Sequence, residues 1–121
     1  MNTTHLIIVV PCYNEESVLP ETIRQLSGVL NRMLENGKIS IGKILFVDDG
    51  SKDKTWEIIT EAGKTNGLVG GLKLAHNSGH QYALLAGLEW ASFFISASSN
   101  AKSRLQYCTT VLPYRIAPSL F

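Results

Sequence analysis

Ile44-Leu45-Phe46-Val47-Asp48-Asp49-Gly50-Ser51-Lys52-Asp53-Lys54-Thr55 is the stretch on which the reading of this chain turns. A short apolar run ends in two adjacent carboxylates, a glycine and a serine turn the chain, and a helix-like segment follows. Strand, acidic tip, tight turn and helix is how an open α/β sheet presents groups to a ligand, at the carboxyl ends of its strands. Neighbouring carboxylates repel each other and lose hydration if covered. A fold tolerates them most easily where a base edge, a ribose hydroxyl or a metal uses them. Asp-Asp-Gly is equally ordinary turn chemistry, and the pair alone leaves both readings open.

The same grammar recurs on either side. Residues 6–10 form a continuous Leu, Ile and Val run, the pattern of a strand covered on both faces, and Pro11 is expected to end it. Asn14 is a suitable cap and Glu15-Glu16 suit a helix N-terminus, with Pro20 in the first turn. Val18, Leu19, Ile23, Leu26, Leu30, Met33 and Leu34 recur at helical spacing, a core-packing stripe that Asn36-Gly37 stops. Residues 43–47 predict the second strand. Ser51 or Asp53 is expected to cap a second helix to about Asn66, with Trp56, Ile58, Ile59 and Ala62 facing the sheet. Residues 68–75 predict a third strand, and after the polar loop His76-Asn77-Ser78-Gly79-His80-Gln81 a third helix spans Tyr82 to Trp90. The order β-α-β-α-β-α with short connections argues for an α/β fold with a parallel sheet.

Composition narrows the function classes. The 121 residues suffice for one small domain. A net charge of +1 gives no argument for nucleic acid. Cys12 and Cys108 stand far apart in no metal-like spacing, which reads as reduced thiols in a cytoplasmic protein. The N-terminal apolar run lacks a basic region and is too short for a signal peptide, and no window has the length to span a bilayer. One asymmetry stands out. Residues 1–90 carry 8 basic and 10 acidic groups, whereas residues 91–121 hold no Asp, Glu or Gly, and only Lys102, Arg104 and Arg115 are charged there.

In a parallel sheet the loops 11–15, 48–51 and 76–81 emerge on one edge and converge on one crevice. Tyr13 offers a ring for a base to stack on. Asp48 and Asp49 can accept from a base N–H or from ribose hydroxyls. Asn77, with Gly79 permitting close backbone approach, sits at a helix N-terminus where a diphosphate or sugar can rest.

Val9-Val10-Pro11-Cys12-Tyr13-Asn14-Glu15-Glu16, Val47-Asp48-Asp49-Gly50-Ser51-Lys52-Asp53 and Asn77-Ser78-Gly79-His80 resemble the family 2 glycosyltransferases of GT-A fold. The third block, with Gly79-His80-Gln81 and Leu84-Leu85-Ala86-Gly87-Leu88, looks most like the branch that loads sugars onto polyprenyl (undecaprenyl or dolichyl) phosphate. The resemblance covers roughly residues 5–91. It implies the nucleotide-binding half of a Rossmann-like GT-A domain, with Pro11, Tyr13 and Glu15 lining the nucleotide pocket. One or both of Asp48 and Asp49 would hold the uracil or guanine edge and ribose, and Asn77 and Gly79 would lie near the ribose–diphosphate. It also implies a UDP- or GDP-sugar donor, a polyprenyl phosphate or glycan acceptor, in-line attack by the acceptor oxygen on the anomeric carbon, and a location at the inner membrane face in full-length relatives.

The chain departs from the family pattern in two places. His76 stands where the family usually has Arg or Lys, which weakens the hold on phosphates. His80 reads equally well as a site residue or a solvated loop residue, Lys52 and Lys54 read as a solvated turn, and His5, before the first strand, as structural or merely exposed. The larger departure is the fourth-strand Asp-x-Asp, which in the family holds a divalent metal (Mg or Mn) against the leaving diphosphate; after Glu89 no acid follows. Residues 1–91 are therefore expected to be the N-terminal part of such a domain. Residues 92–121 are expected to be an irregular tail, read out of frame or fused from unrelated sequence; the other two reading frames downstream of the Ala91 codon test this. The competing readings are a glycosyltransferase inactive as this chain alone and a non-catalytic nucleotide-binding remnant. An unrelated Rossmann-like cofactor binder is disfavoured because no G-x-G-x-x-G follows the first strand.

Overall fold

A computed structural model describes residues 4–98 and 104–109. The elements are β1 (Thr4–Cys12), α1 (Leu19–Glu35), β2 (Ile41–Asp48), α2 (Thr55–Thr65), β3 (Val69–Lys73), α3 (His80–Ser98) and β4 (Arg104–Thr109). Among the described residues all strand pairings are parallel, in the order β3-β2-β1-β4. The alternation read from the sequence is present: an open α/β sheet, an incomplete Rossmann-like half.

The central strands are apolar throughout because both faces are covered. Leu6, Ile8, Val10 and Cys12 of β1 and Ile44 and Phe46 of β2 pack with Leu19 and Leu30 of α1 and Ile59 of α2. The alternate residues Ile7, Val9, Leu45 and Val47 pack with Leu72, Leu74, Ala83 and Ala91 on the α3 side. This is the two-residue period of a strand expressed twice. Each fully buried aliphatic or aromatic side chain here contributes about 1.5–3 kcal/mol. On the second face α3 lies close to the sheet, and Gly87 makes that possible: a Cβ there would stand 2.5 Å from Val9 Cγ1.

Several boundaries differ from expectation. Pro11 does not end β1, since it pairs with Val47, and Cys12 follows opposite Asp48. Pairing with β4 stops at Val9, so Pro11 occupies a stretch without a β4 partner among the described residues, where a missing N–H is tolerated. His5 lies inside β1, not before it, and is 1% exposed; it is structural. Asn14 does not cap α1. Its backbone is left-handed (φ 52°), and the Glu15 carbonyl instead accepts from Val18 and Leu19. Lys54 holds the α2 cap position.

Of residues 92–121, expected to be an irregular tail, those described, 92–98 and 104–109, form the end of α3 and β4. Nothing between Ala91 and Ser98 breaks a helix, as Gly or Pro would, and β1 has a second edge that Arg104–Thr109 fills with strand-favouring Leu105, Tyr107 and Thr109. Phe93 to Ile95 belong to α3.

Candidate functional site

The three loops do emerge on one sheet edge, and the ends of the strands fix them there. The Asp49 N–H donates to the Cys12 carbonyl at 2.9 Å, and the Leu74 N–H to the Asp48 carbonyl at 2.9 Å. The backbone of the acidic pair is thus held between β1 and the segment after β3. Gly50 then turns at φ 72°, and a Cβ there would stand 3.1 Å from the Asn77 nitrogen. Only glycine lets the second loop (residues 49–54) lie against the third (residues 74–79) at that point.

Asp48 and Asp49 are both fully buried, but they serve different loops. Asp48 follows Ile44 and Phe46 on the α1/α2 face, and its Oδ1 accepts from the Ser51 N–H at 3.2 Å. Its Oδ2 has no hydrogen-bond partner. Burial pushes the Asp48 carboxyl above the usual carboxylate range, against the hydrogen bonds from Ser51 and the nearby charge of Lys73. The Lys73 ammonium lies 5.8 Å from the Trp56 ring centre. Asp49 turns towards the third loop, where its Oδ1 accepts from the Ser78 N–H at 2.9 Å.

The first loop (residues 13–18) is tied to the second by side chains of which the sequence suggests Asn14, Ser51 and Asp53 only as helix caps. Three consecutive N–H groups of the first loop donate across the gap: Asn14 to Ser51 Oγ (2.8 Å), Glu15 to Thr55 Oγ1 (2.8 Å) and Glu16 to Asp53 Oδ2 (3.2 Å). In return the Lys52 N–H donates to Asn14 Oδ1 at 2.8 Å. Thr55 is fully buried, and its hydroxyl and N–H donate to Asp53 Oδ1 at 2.5 and 2.9 Å. Burial pushes the Asp53 carboxyl up, but the bonds from Thr55 and Glu16 outweigh that and hold it below its ordinary value. Glu15 is raised by its partial burial and by Asp53. The signal for this seam was present in the sequence as small polar side chains facing each other in two βα loops, but their pairing follows only from the β1–β2 register.

The remaining predicted residues fall as follows. Pro11 is buried in β1 and Tyr13 is half-buried against the α1/α2-side core. Asn77 is exposed and Gly79, at φ 100°, leads into α3. A shallow groove lined by Ser78, Gly79, Gln81, Tyr82 and Leu85 opens along the first turns of α3 rather than over the acidic pair. Cys12 beneath the site is a buried thiol, pushed well above its ordinary range by burial. Among the described residues no three His, Cys, Asp or Glu side chains stand close enough to hold a metal, so these residues do not by themselves fit a divalent ion. Among them, too, no helix is long and apolar enough to cross a membrane.

Comparison with known proteins matches this architecture to a family. The sequence profile of glycosyl transferase family 2 matches residues 7–92, which span all three loops. A Bacillus subtilis protein named uncharacterized glycosyltransferase YkoT is 56% identical over 87 residues, 71% of this chain and 26% of that protein. The B. subtilis uncharacterized glycosyltransferase YkcC is 42% identical over 84 residues, 69% of this chain and 24% of that protein. An undecaprenyl-phosphate 4-deoxy-4-formamido-L-arabinose transferase of Pseudomonas aeruginosa is 39% identical over 83 residues, 68% of this chain and 23% of that protein. The chain spans about a quarter of the length of these relatives. With the profile covering most of its residues and every loop of the edge, the chain belongs to glycosyl transferase family 2.

Proposed function

We propose that this chain is the donor-recognition part of a glycosyltransferase that uses a UDP- or GDP-sugar and, in its full-length context, a polyprenyl phosphate or glycan acceptor. Tyr13 stacks on the base, with Pro11 and Glu15 completing that wall. Asp48 and Asp49 accept from the base N–H or the ribose hydroxyls. Asn77 and Gly79 border the ribose–diphosphate at the N-terminus of α3, where backbone N–H groups and the helix dipole favour an anion.

The observation that carries this reading is Asp48. A fully buried carboxylate with one oxygen unpartnered is costly, and a ligand N–H or O–H would relieve it once a side-chain shift opens that oxygen to the loop edge. The polyprenyl phosphate acceptor draws support from the relative named as an undecaprenyl-phosphate sugar transferase; with such an acceptor the full-length protein would work at the cytoplasmic face of a membrane.

This chain alone is a donor binder without turnover. Within these 121 residues no Asp or Glu follows Glu89 to act as general base or as metal ligand for the departing diphosphate. A second reading, a non-catalytic nucleotide-binding remnant, rests on that same absence. Titration with UDP, UDP-glucose and GDP-mannose, with and without magnesium, followed by a sugar-transfer assay on polyprenyl phosphate, separates the possibilities. Binding without transfer is the expected result. Transfer would overturn the claim that the chain lacks catalytic groups, and no binding of any of the three would overturn donor recognition itself.

A further inference from the structure

Three successive amides of one loop captured by two side chains of another and by the first residue of α2 is more than turn geometry requires. Asn14, Glu15 and Glu16 give their N–H groups to Ser51, Thr55 and Asp53, and Asn14 Oδ1 takes the Lys52 N–H in exchange. Asn14 also stands at φ 52°, the sole left-handed non-glycine among the described residues. Such a conformation costs free energy and persists where its surroundings over-determine it. Tyr13 and Glu15 flank it directly.

We propose that Asn14, Ser51, Asp53 and Thr55 are positioning residues, an interloop clamp that presets Tyr13 and Glu15 for the nucleotide. The inference rests on the donor-binding reading above and deepens it. None of the four touches the ligand; they act by removing the conformational freedom the first loop would otherwise lose on binding. A second consequence follows. Successive backbone N–H groups often cradle phosphate, but these three are already occupied by oxygens of the second loop. The first loop therefore leaves the diphosphate to the third loop and α3.

The test uses the full chain, with UDP and GDP as probes, and reads both affinity and amide hydrogen exchange at residues 13–16. Asn14→Gly keeps the left-handed backbone but removes the acceptor for Lys52. Asn14→Asp keeps an oxygen there and tolerates the same φ. Asn14→Gly is expected to weaken nucleotide binding about tenfold, the equivalent of one hydrogen bond, and to speed exchange at residues 14–16 while the thermal midpoint stays nearly in place. Asn14→Asp is expected to restore both. Thr55→Val should repeat the loss and Thr55→Ser the rescue. Wild-type binding with unchanged affinity in Asn14→Gly, or failure of both conservative variants to rescue, overturns the clamp. If the wild-type chain binds neither nucleotide, the donor-site reading is what fails; the clamp is then decided by exchange, and unchanged exchange at residues 14–16 overturns it.

Discussion

Among the described residues the seam between the first and second loops is stitched by four hydrogen bonds that involve side chains, whereas the seam between the second and third carries the bond from the Ser78 N–H to Asp49 and the close backbone passage at Gly50. The difference maps onto chemistry. The stitched side carries Tyr13 and Asp48, groups suited to a flat base whose shape does not change during transfer. The lightly held side carries Asn77 and Gly79, suited to a diphosphate and sugar that must alter as the bond to the anomeric carbon breaks. On the donor-site proposal, a firmly stitched half beside a lightly held one would let recognition and release be separated.

Breaking the stitched side at its buried acid should have the largest effect. Asp48→Asn removes the charged acceptor, and nucleotide affinity is expected to fall by about 1.5–3 kcal/mol, roughly 10- to 150-fold. The same change should raise stability at neutral pH. Because the carboxyl is raised in the folded state, wild-type stability falls as pH rises through that folded value, and the asparagine escapes the loss. The advantage should vanish as pH drops below the ordinary carboxylate range. Equal stability of the two proteins at every pH would contradict the burial of a charge here.

Gly50→Ala strikes the point where the loops meet. A side chain at φ 72° costs about 1–2 kcal/mol, and contact with the Asn77 backbone adds to it. Denaturant unfolding should show the loss, with nucleotide affinity reduced as the third loop moves away. Thr55→Val tests the stitched seam from beneath. It removes the acceptor for the Glu15 N–H and should cost about 1 kcal/mol of stability, read as a lower unfolding midpoint. Asp53 sharpens this by titration. Its carboxyl is depressed in the fold, so its contribution is present above the unfolded value and lost only as pH falls through the lower folded value. The smallest effect is expected from Asn77→Ala on the lightly held side: a few-fold loss of affinity with the unfolding midpoint unchanged, because the residue is exposed and no core contact depends on it.

The parts of the molecule that sequence alone made visible are those where one physical rule dominates. The continuous apolar runs at residues 6–10 and 44–47 read as doubly covered strands, and the stripe from Leu19 to Leu34 as a packed helix face. The loop edge followed from parallel topology. Other features depended on partners distant in sequence. Asn14 has the side chain of a helix cap, and only its left-handed backbone and the Lys52 amide reveal a different use. Asp48 and Asp49 read as one motif, yet they divide between two loops because adjacent residues leave a strand in opposite directions. Pro11 reads as a strand end until the limit of β4 pairing is known. The compositional break at Ala91 suggested a structural boundary, but helix formation responds to the absence of Gly and Pro rather than to charge, and α3 passes through it.

The claim beneath all of this is that three loops from three strands make one ligand site. Backbone amide shifts recorded while UDP or GDP is added test it most directly. The account predicts that Tyr13, Asp49, Gly50 and the residues from Asn77 to Gly79 move together and titrate with one dissociation constant. Shifts confined to a single loop, or centred on the opposite sheet edge around Ser40 and Gly67, would contradict it.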